Sequence, residues 1–107
     1  DAGTEGTAIV SDRSHPSTKH LKTTWTRKEE WYQFKTNPRG KVHVLMTMDK
    51  GAMGHDHPHA WCHPYDGGRA FYTAGGHSKD SWKDADFLKH VGGGIDWAAR
   101  GGAVSRR

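Results

Sequence analysis

The sequence lacks the features that mark disulfide-rich and membrane proteins. Cys62 is the only cysteine among 107 residues, which excludes an internal disulfide and leaves the redox compartment open. No apolar run is long enough to span a membrane, and Asp1 does not begin a signal-peptide pattern. We therefore expect a protein without a membrane partner, soluble and either cytoplasmic or secreted after removal of a leader.

The sequence also lacks a segregated block of charge. Sixteen Lys and Arg residues oppose twelve Asp and Glu residues, and the basic side chains are scattered apart from Arg106 and Arg107. They accompany no recognisable nucleic-acid motif. We expect a solvated basic surface and no nucleic-acid partner. A chain of this length is one domain at most, with a thin core.

Histidine is abundant by contrast, and it is concentrated in residues 53–77. This stretch also holds the cysteine and two of the four prolines. No other window of the chain is as dense in groups that can perform chemistry. Five of the nine histidines lie here: His55, His57, His59, His63 and His77.

Residues 57–65 are predicted to form the first strand of a β-hairpin. The turn is Asp66-Gly67-Gly68, and residues 69–74 are rich in strand formers. Pro58 and Pro64 cannot donate to a ladder, so the first strand is expected at an edge or bent, and accessible. Alternation gives the two faces. One face carries His57, His59, Trp61, His63 and Tyr65, and the other carries Ala60 and Cys62.

The rest of the chain predicts three further strands and a helix. Strands are expected at residues 7–11, 29–34 and 42–49, and the last is apolar enough to be the buried centre of the sheet. Asp84 is a suitable N-cap for a helix ending at residues 101–102. Three consecutive glycines, 92–94, require that this helix breaks or passes very close to another backbone. The predicted apolar face consists of Phe87, Leu88, Val91, Ile95 and Ala98.

Several motifs occur in a recognisable order between residues 6 and 99. They are Asp12-x-x-His15-Pro16-x-Thr18-x-x-Leu21, Glu30-Trp31-Tyr32-x-Phe34, Val42-His43-Val44-Leu45, Gly54-x-Asp56-His57-Pro58-x-Ala60-Trp61-Cys62-His63, Gly67-Gly68-Arg69-x-Phe71-Tyr72-Thr73, Gly76-His77 and Gly93-Gly94-Ile95-x-Trp97-Ala98-Ala99. Together they resemble the C-terminal half of the trehalose-utilisation (ThuA-like) domain. His55 and His59 depart from the family pattern.

The resemblance implies an α/β fold, part of the three-layer flavodoxin-like or class I glutamine amidotransferase-like architecture, with about five strands and a C-terminal helix. It implies one domain over residues 1–107, with tails at 1–6 and 101–107, and a role in sugar metabolism. A complete family domain is about twice as long. Its missing half would supply parallel strands, so we expect a homo-oligomer or a partner segment to cover the open sheet edge.

The histidines allow a metal site. Imidazoles on one strand face, with another returning from the hairpin, can converge on a divalent ion such as zinc or copper. The candidate ligands are His55, His57, His59, His63 and His77, with Asp56 as a ligand or as an acceptor behind one. The alternative is that these histidines shape turns, hydrogen-bond to backbone, or lie on the surface.

A metal-free site is the second hypothesis. His57 or His77 would act as general base, oriented by Glu30 or Asp56, and Arg69 would hold an anionic or polyhydroxyl group. For Arg69 a salt bridge at the strand end is the favoured alternative.

Trp61 and Tyr65 are the candidate sugar-stacking residues on the histidine face. Cys62 is expected to be a buried structural thiol rather than a nucleophile, because no glycine-rich nucleophile elbow surrounds it.

Three classes of function remain open at the level of the sequence. The first is a ThuA-like domain that binds or acts on a sugar. The second is a metal-dependent carbohydrate-active enzyme, hydrolytic with zinc or oxidative with copper. The third is a non-catalytic carbohydrate-binding module, for which exposed Trp61 and Tyr65 would suffice.

Overall fold

The computed structural model of the chain describes residues 4–29, 39–48, 57–76 and 79–104. These residues form five strands and one long helix, α1, with short 3-10 turns at Arg39–Lys41 and Lys79–Lys83. The predicted combination of about five strands and a C-terminal helix is therefore confirmed. The elements are β1 Thr4–Val10, β2 Thr24–Glu29, β3 His43–Met48, β4 His57–Tyr65, β5 Gly68–Thr73 and α1 Ala85–Val104.

The strands form one sheet in the order β2-β1-β3-β4-β5. β3 is its central strand, and Val44, Leu45 and Met46 are buried, as the apolar run predicts. Every pairing between the described strands is antiparallel, so the flavodoxin-like layering that the resemblance implies is not confirmed. β2 begins earlier than the strand predicted at 29–34, and residues 30–34 of that prediction lie outside the described part.

The position of β4 corrects one prediction about access. β4 is hydrogen-bonded to β3 on one side and β5 on the other, so an edge position is wrong. The other alternative, a bent strand, agrees with the register shifts between β3 and β4, because a β-bulge bends the strand that carries it. Val44 pairs with Trp61 and Met46 with Ala60, which leaves Leu45 as an extra residue on β3.

A second irregularity interrupts the alternation of the histidines. Thr47 pairs with Pro58 and Met46 with Ala60, so His59 is an extra residue on β4. Met48 and Met46 lie two apart on β3, and their partners His57 and Ala60 therefore share one face of the sheet. The prediction that His57 and Trp61 lie on one face is wrong, because the bulge shifts the alternation by one residue.

The hairpin between β4 and β5 forms as predicted. Its two-residue turn consists of Asp66 and Gly67 with φ of 51° and 83°, the positive values that a type I′ turn requires. The resulting register places Trp61 opposite Tyr72 and Cys62 opposite Phe71. The first pair lies on one face of the hairpin, and the second pair points into the core.

Helix α1 packs on β5 through a narrow face. Asp84 caps it, because its Oδ1 accepts a hydrogen bond of 2.9 Å from the backbone N–H of Asp86. The predicted apolar face is right for buried Phe87 and wrong for Leu88 and Ile95, which are exposed. The packed face passes through Phe87, His90 and Gly94, so after the first turn it lies one residue before the predicted Val91 and Ile95.

Two of the three glycines, Gly93 and Gly94, pass close to neighbouring chain segments, and the helix does not break at them. A Cβ built on Gly93 would lie 2.2 Å from the carbonyl oxygen of Pro16, and one on Gly94 would lie 2.2 Å from the ring of Phe71. The second of the two predicted alternatives is therefore confirmed. α1 continues to Val104, beyond the predicted end at 101–102. Within the described ranges, no helix is both long and apolar enough to cross a membrane.

The core lies between the sheet and α1. It includes residues of β1, β3 and β4 together with Leu21 from the loop that joins β1 to β2. Trp25, Phe71 and Trp97 pack against its side. The buried cluster consists of Ala8, Val10, Leu21, Leu45, Met46, Ala60 and Cys62.

Candidate functional site

A cavity of about 610 Å³ opens where the β4–β5 hairpin, the start of β3 and α1 meet the loop after β1. The part of α1 that lines it is Trp97, and the loop after β1 contributes His15. The chemically distinctive side chains around it are His15, Lys41, His43, His63, Arg69 and Trp97.

The loop after β1 is held in place by the irregular residue of β3. The carbonyl oxygen of Leu45 accepts hydrogen bonds from the backbone N–H groups of Ser11 and Asp12, at 2.8 and 3.3 Å. The hydroxyl of Thr18 closes the loop by donating to the carbonyl of Asp12 at 2.6 Å. The bulge at Leu45 thus fixes the position of Asp12 beside the cavity.

Asp12 and His43 form a hydrogen-bonded pair beside the cavity. The distance between His43 Nε2 and Asp12 Oδ2 is 2.6 Å. The other carboxylate oxygen, Oδ1, accepts from the backbone N–H and the hydroxyl of Ser14, at 2.8 and 2.6 Å. The hydrogen bond from the Ser14 hydroxyl, then the one from His43, and then the one from the Ser14 backbone lower the pKa of Asp12 to about 2. The carboxylate is ionised at neutral pH, and it orients the exposed imidazole.

His15 is buried in the wall of the same cavity. Its Nδ1 accepts the backbone N–H of Ser17 at 3.1 Å and lies 2.9 Å from the Ser17 hydroxyl. The ring stacks against Phe71, and its centroid lies 4.9 Å from that of Trp97. Burial lowers the pKa of His15 to about 4, so the imidazole is neutral at pH 7 with its proton on Nε2.

Arg69 is held by the helix. One guanidinium nitrogen, Nη2, donates to the carbonyl of Trp97 at 2.7 Å, and the group lies 4.0 Å above the centre of the Trp97 ring. Among the residues that the structure describes, Arg69 has no carboxylate partner within salt-bridge distance. The strand-end salt bridge favoured from the sequence is therefore not found within these residues.

Cys62 lies at the base of the cavity, where only 4% of it is exposed. Burial raises the pKa of its thiol to about 11, so the thiolate is scarce at neutral pH. The expectation of a buried structural thiol is confirmed.

The structure brings together only some of the residues predicted from the sequence. His63 and Arg69 line the cavity. His57 and His59 are buried elsewhere, with 5% and 3% of their surfaces exposed. Trp61 stacks on Tyr72 with ring centroids 4.3 Å apart, and Tyr65 is largely exposed. The other predicted site residues lie outside the described residues: Glu30, His55, Asp56 and His77.

The metal hypothesis gains no support from the described part of the chain. There, no group of three or more His, Cys, Asp or Glu side chains is arranged to hold an ion. Two of the five proposed ligands, His55 and His77, lie outside that part. A zinc or copper ion at these histidines therefore stays a prediction.

The sequence analysis did not assign a site role to Asp12, His15 or His43. The signal was nevertheless present, because the motif Asp12-x-x-His15-Pro16 and the pair Val42-His43 are among those that carry the family resemblance. No local pattern indicated that these two segments meet. Only the pairing of β1 with β3 brings Asp12 beside His43.

Two comparisons with known proteins find ThuA-like proteins, and a third finds no match. The sequence profile of the family described as trehalose utilisation, ThuA, matches residues 2–98. A ThuA-like protein from Bacteroides uniformis ATCC 8492, solved by crystallography, superposes with a TM-score of 0.75 at 21% sequence identity. The superposition covers 89% of this chain and 43% of that protein, and it supports the fold alone. No curated protein matches the chain. On the strength of the profile match, the chain belongs to the ThuA (trehalose utilisation) family.

Proposed function

We propose that the cavity binds a carbohydrate and that His43, oriented by Asp12, accepts a proton from it. The observation that carries the proposal is the 2.6 Å hydrogen bond between these two side chains at the cavity wall. The association of the family with trehalose utilisation supports a sugar as the ligand class. The chain covers 43% of the ThuA-like protein on which it superposes, so the activity of a longer family member is part of the same proposal.

The chemistry of the pair follows from its hydrogen bonds. Because Asp12 accepts the proton of His43 Nε2, the basic nitrogen of the neutral ring is Nδ1. An ionised carboxylate behind an imidazole fixes the tautomer and stabilises the imidazolium that forms when the base takes a proton. A sugar hydroxyl, or a C–H group next to a carbonyl carbon, is the proton donor that such a base would act on.

Neighbouring groups suit binding rather than covalent chemistry. The thiol of Cys62 is buried and protonated, so it does not supply a nucleophile. His15 is neutral, Arg69 is fixed over Trp97, and both residues line the same cavity as the base. Preorganised polar groups that need no rearrangement on binding are typical of ligand sites.

A second candidate is a non-catalytic carbohydrate-binding surface on the other face of the hairpin. The stacked pair of Trp61 and Tyr72 favours it, because aromatic faces with a polar group at the edge are suited to sugar rings. Tyr65, two-thirds exposed at the end of the same strand, could extend this surface. In this candidate the Asp12–His43 pair has no role.

Nuclear magnetic resonance titration tests both candidates. Trehalose and glucose are added to the chain while the imidazole C–H signals of the histidines and the indole N–H signals of the tryptophans are followed. We expect saturable shifts of the His43 and His63 signals, and we expect His43→Gln and Asp12→Asn to weaken or abolish the response. His20→Gln is the matched control, because His20 hydrogen-bonds to the backbone of Asp86 away from the cavity.

Two outcomes would contradict the proposal. If sugars shift only the Trp61 indole signal, and Trp61→Ala abolishes binding, the second candidate is correct. If neither trehalose nor glucose, nor an acidic sugar such as glucuronate, shifts any of these signals at millimolar concentration, the cavity does not bind carbohydrate. Retention of folded chemical-shift dispersion in each variant excludes loss of structure as the cause.

A further inference from the structure

The ionisable side chains that line the cavity, among the described residues, are mainly basic. Lys41 and Arg69 line it, together with the imidazoles of His15, His43 and His63, and no carboxylate side chain is among its described lining residues. Asp12 lies close by, but Ser14 and His43 already occupy both of its oxygens. Among the described residues, a ligand in the cavity therefore meets two permanent cations and no free anion.

Arg69 has N–H donors that no acceptor among the described residues uses. A guanidinium carries five N–H donors, and the structure uses one of them for the carbonyl of Trp97. Its Nε is buried and meets no hydrogen-bond acceptor among the described residues. An arginine that is partly buried usually has an anionic partner, because an unpaired charge away from water is costly. Here the protein supplies a carbonyl and an aromatic face instead.

The orientation of the guanidinium is also fixed. Its contact with the Trp97 ring and its bond to the Trp97 carbonyl restrain the plane of the group from two directions. A fixed planar fork matches the two oxygens of a carboxylate or a phosphate and loses little side-chain entropy on binding. Lys41 adds a second, more flexible cation at the exposed side of the cavity.

From these observations we infer that Arg69, assisted by Lys41, binds the oxyanion of an acidic sugar, a sugar carboxylate or a sugar phosphate. The inference rests on the proposed function, because it names the class of sugar that the cavity selects. A neutral sugar offers hydroxyls that must donate as well as accept, whereas the two cations can only donate. An oxyanion uses these donors fully.

Calorimetric titration of the full chain with four probes tests the inference: glucose, glucuronate, glucose 6-phosphate and inorganic phosphate. We expect at least one of the two acidic sugars to bind about tenfold or more tightly than glucose, as expected for hydrogen bonds between charged groups. The better of the two identifies the oxyanion. The preference should weaken between low salt and about 0.15 M salt, because part of the cavity is open to solvent.

Three variants assign the preference to residues. Arg69→Gln should remove the preference for the acidic sugar over glucose, whatever its effect on glucose binding itself, and Lys41→Gln should reduce the preference by a smaller factor. Loss of the Arg69–Trp97 contact in Arg69→Gln could unfold the chain. In that case Lys41→Gln still tests the inference, because Lys41 is exposed and its replacement should leave the fold intact. Lys89→Gln removes an equal charge from an exposed position on α1 outside the cavity, and it should change nothing.

The outcomes separate this inference from the proposed function. Equal affinities for glucose and both acidic sugars, or a preference that survives in both Arg69→Gln and Lys41→Gln, would overturn the inference and leave sugar binding intact. Inorganic phosphate binding as tightly as glucose 6-phosphate, with no response to glucose, would confirm the anion site and overturn the carbohydrate proposal. No binding of any probe would overturn both.

Discussion

The close passage of α1 over the loop after β1 makes a quantitative prediction about two adjacent glycines. A Cβ at Gly93 would lie 2.2 Å from the carbonyl oxygen of Pro16 and 2.7 Å from the Cα of Ser17, whereas one at Gly92 would meet nothing within 4 Å. Ordinary contacts begin near 3.4 Å, so Gly93→Ala requires the helix or the loop to move by about 1 Å. The atoms in the way belong to backbone, which cannot rotate aside.

The two substitutions should therefore have opposite signs. Alanine in a helix interior is favoured over glycine by about 1 kcal/mol, and Gly92→Ala should gain most of this amount. Gly93→Ala gains the same helix propensity but forces an overpacked contact, which costs about 1 to 3 kcal/mol or more. The helix-propensity gain cancels in the comparison, so we expect the free energies of unfolding of the two variants to differ by the overpacking cost, about 1 to 3 kcal/mol or more.

Urea denaturation followed by tryptophan fluorescence and circular dichroism measures this difference. The slope of the free energy against urea should stay the same in both variants, because the surface exposed on unfolding does not change. A similar gain in stability for Gly92→Ala and Gly93→Ala would refute the reasoning, since it would show that α1 does not pass close to the Pro16 backbone.

Three further predictions concern buried titratable groups and the helix cap. Burial lowers the pKa values of His15 and His90 from 6.5 to about 4, so the unfolded chain takes up their protons first. The contribution of these two histidines to stability should be constant above about pH 6.5 and fall towards pH 4, by up to about 3 kcal/mol for each group, and His90→Gln should flatten this part of the profile measured by urea denaturation at each pH. Cys62 should react with a thiol reagent at neutral pH only as fast as the chain unfolds, and labelling within seconds in the native state would contradict its burial. Asp84→Ala should cost about 1 kcal/mol through loss of the N-cap, and Asp84→Asn should cost less; equal losses in thermal melts would exclude capping as the cause.

Local signals in the sequence predicted local structure well. Asp66-Gly67 marked the hairpin turn because both residues tolerate positive φ, and Asp84 marked the helix start because its short side chain reaches the free N–H groups. The glycines at 93 and 94 correctly indicated a close approach, although the sequence did not reveal the segments they approach. These predictions depend on a few neighbouring residues, which is why they could be made.

The predictions that failed depend on contacts between distant segments. The bulges at Leu45 and His59 follow from how β3 and β4 pair, so simple alternation assigned His57 to the face of Trp61. The apolar residues Leu88 and Ile95 suggested the wrong side of α1, because the side that packs is defined by glycine and histidine. The Asp12–His43 pair joins residues 31 apart, and no local pattern reports such a contact.

A cover over the open sheet edge, supplied by a second copy of the chain or by another segment, stays a prediction. β2 and β5 are the outer strands of the described sheet, and Ile9 and Tyr72 are more than one-third exposed. The superposed ThuA-like protein is more than twice as long as the part that this chain covers. Light scattering with size-exclusion chromatography distinguishes a covered sheet from a stable monomer.

The imidazole of His90 joins three parts of the molecule at one point. From α1, its Nδ1 donates to the carbonyl of Ser17 in the loop after β1, and its Nε2 accepts from the hydroxyl of Thr73 on β5, both at 3.0 Å. A single proton on a fully buried ring thus ties the loop that carries Asp12 and His15 to the hairpin that carries Arg69. The inner wall of the cavity should therefore behave as one rigid body. Any opening that admits a ligand is expected on the side of Lys41 and His43, where the side chains are exposed and this tie does not reach.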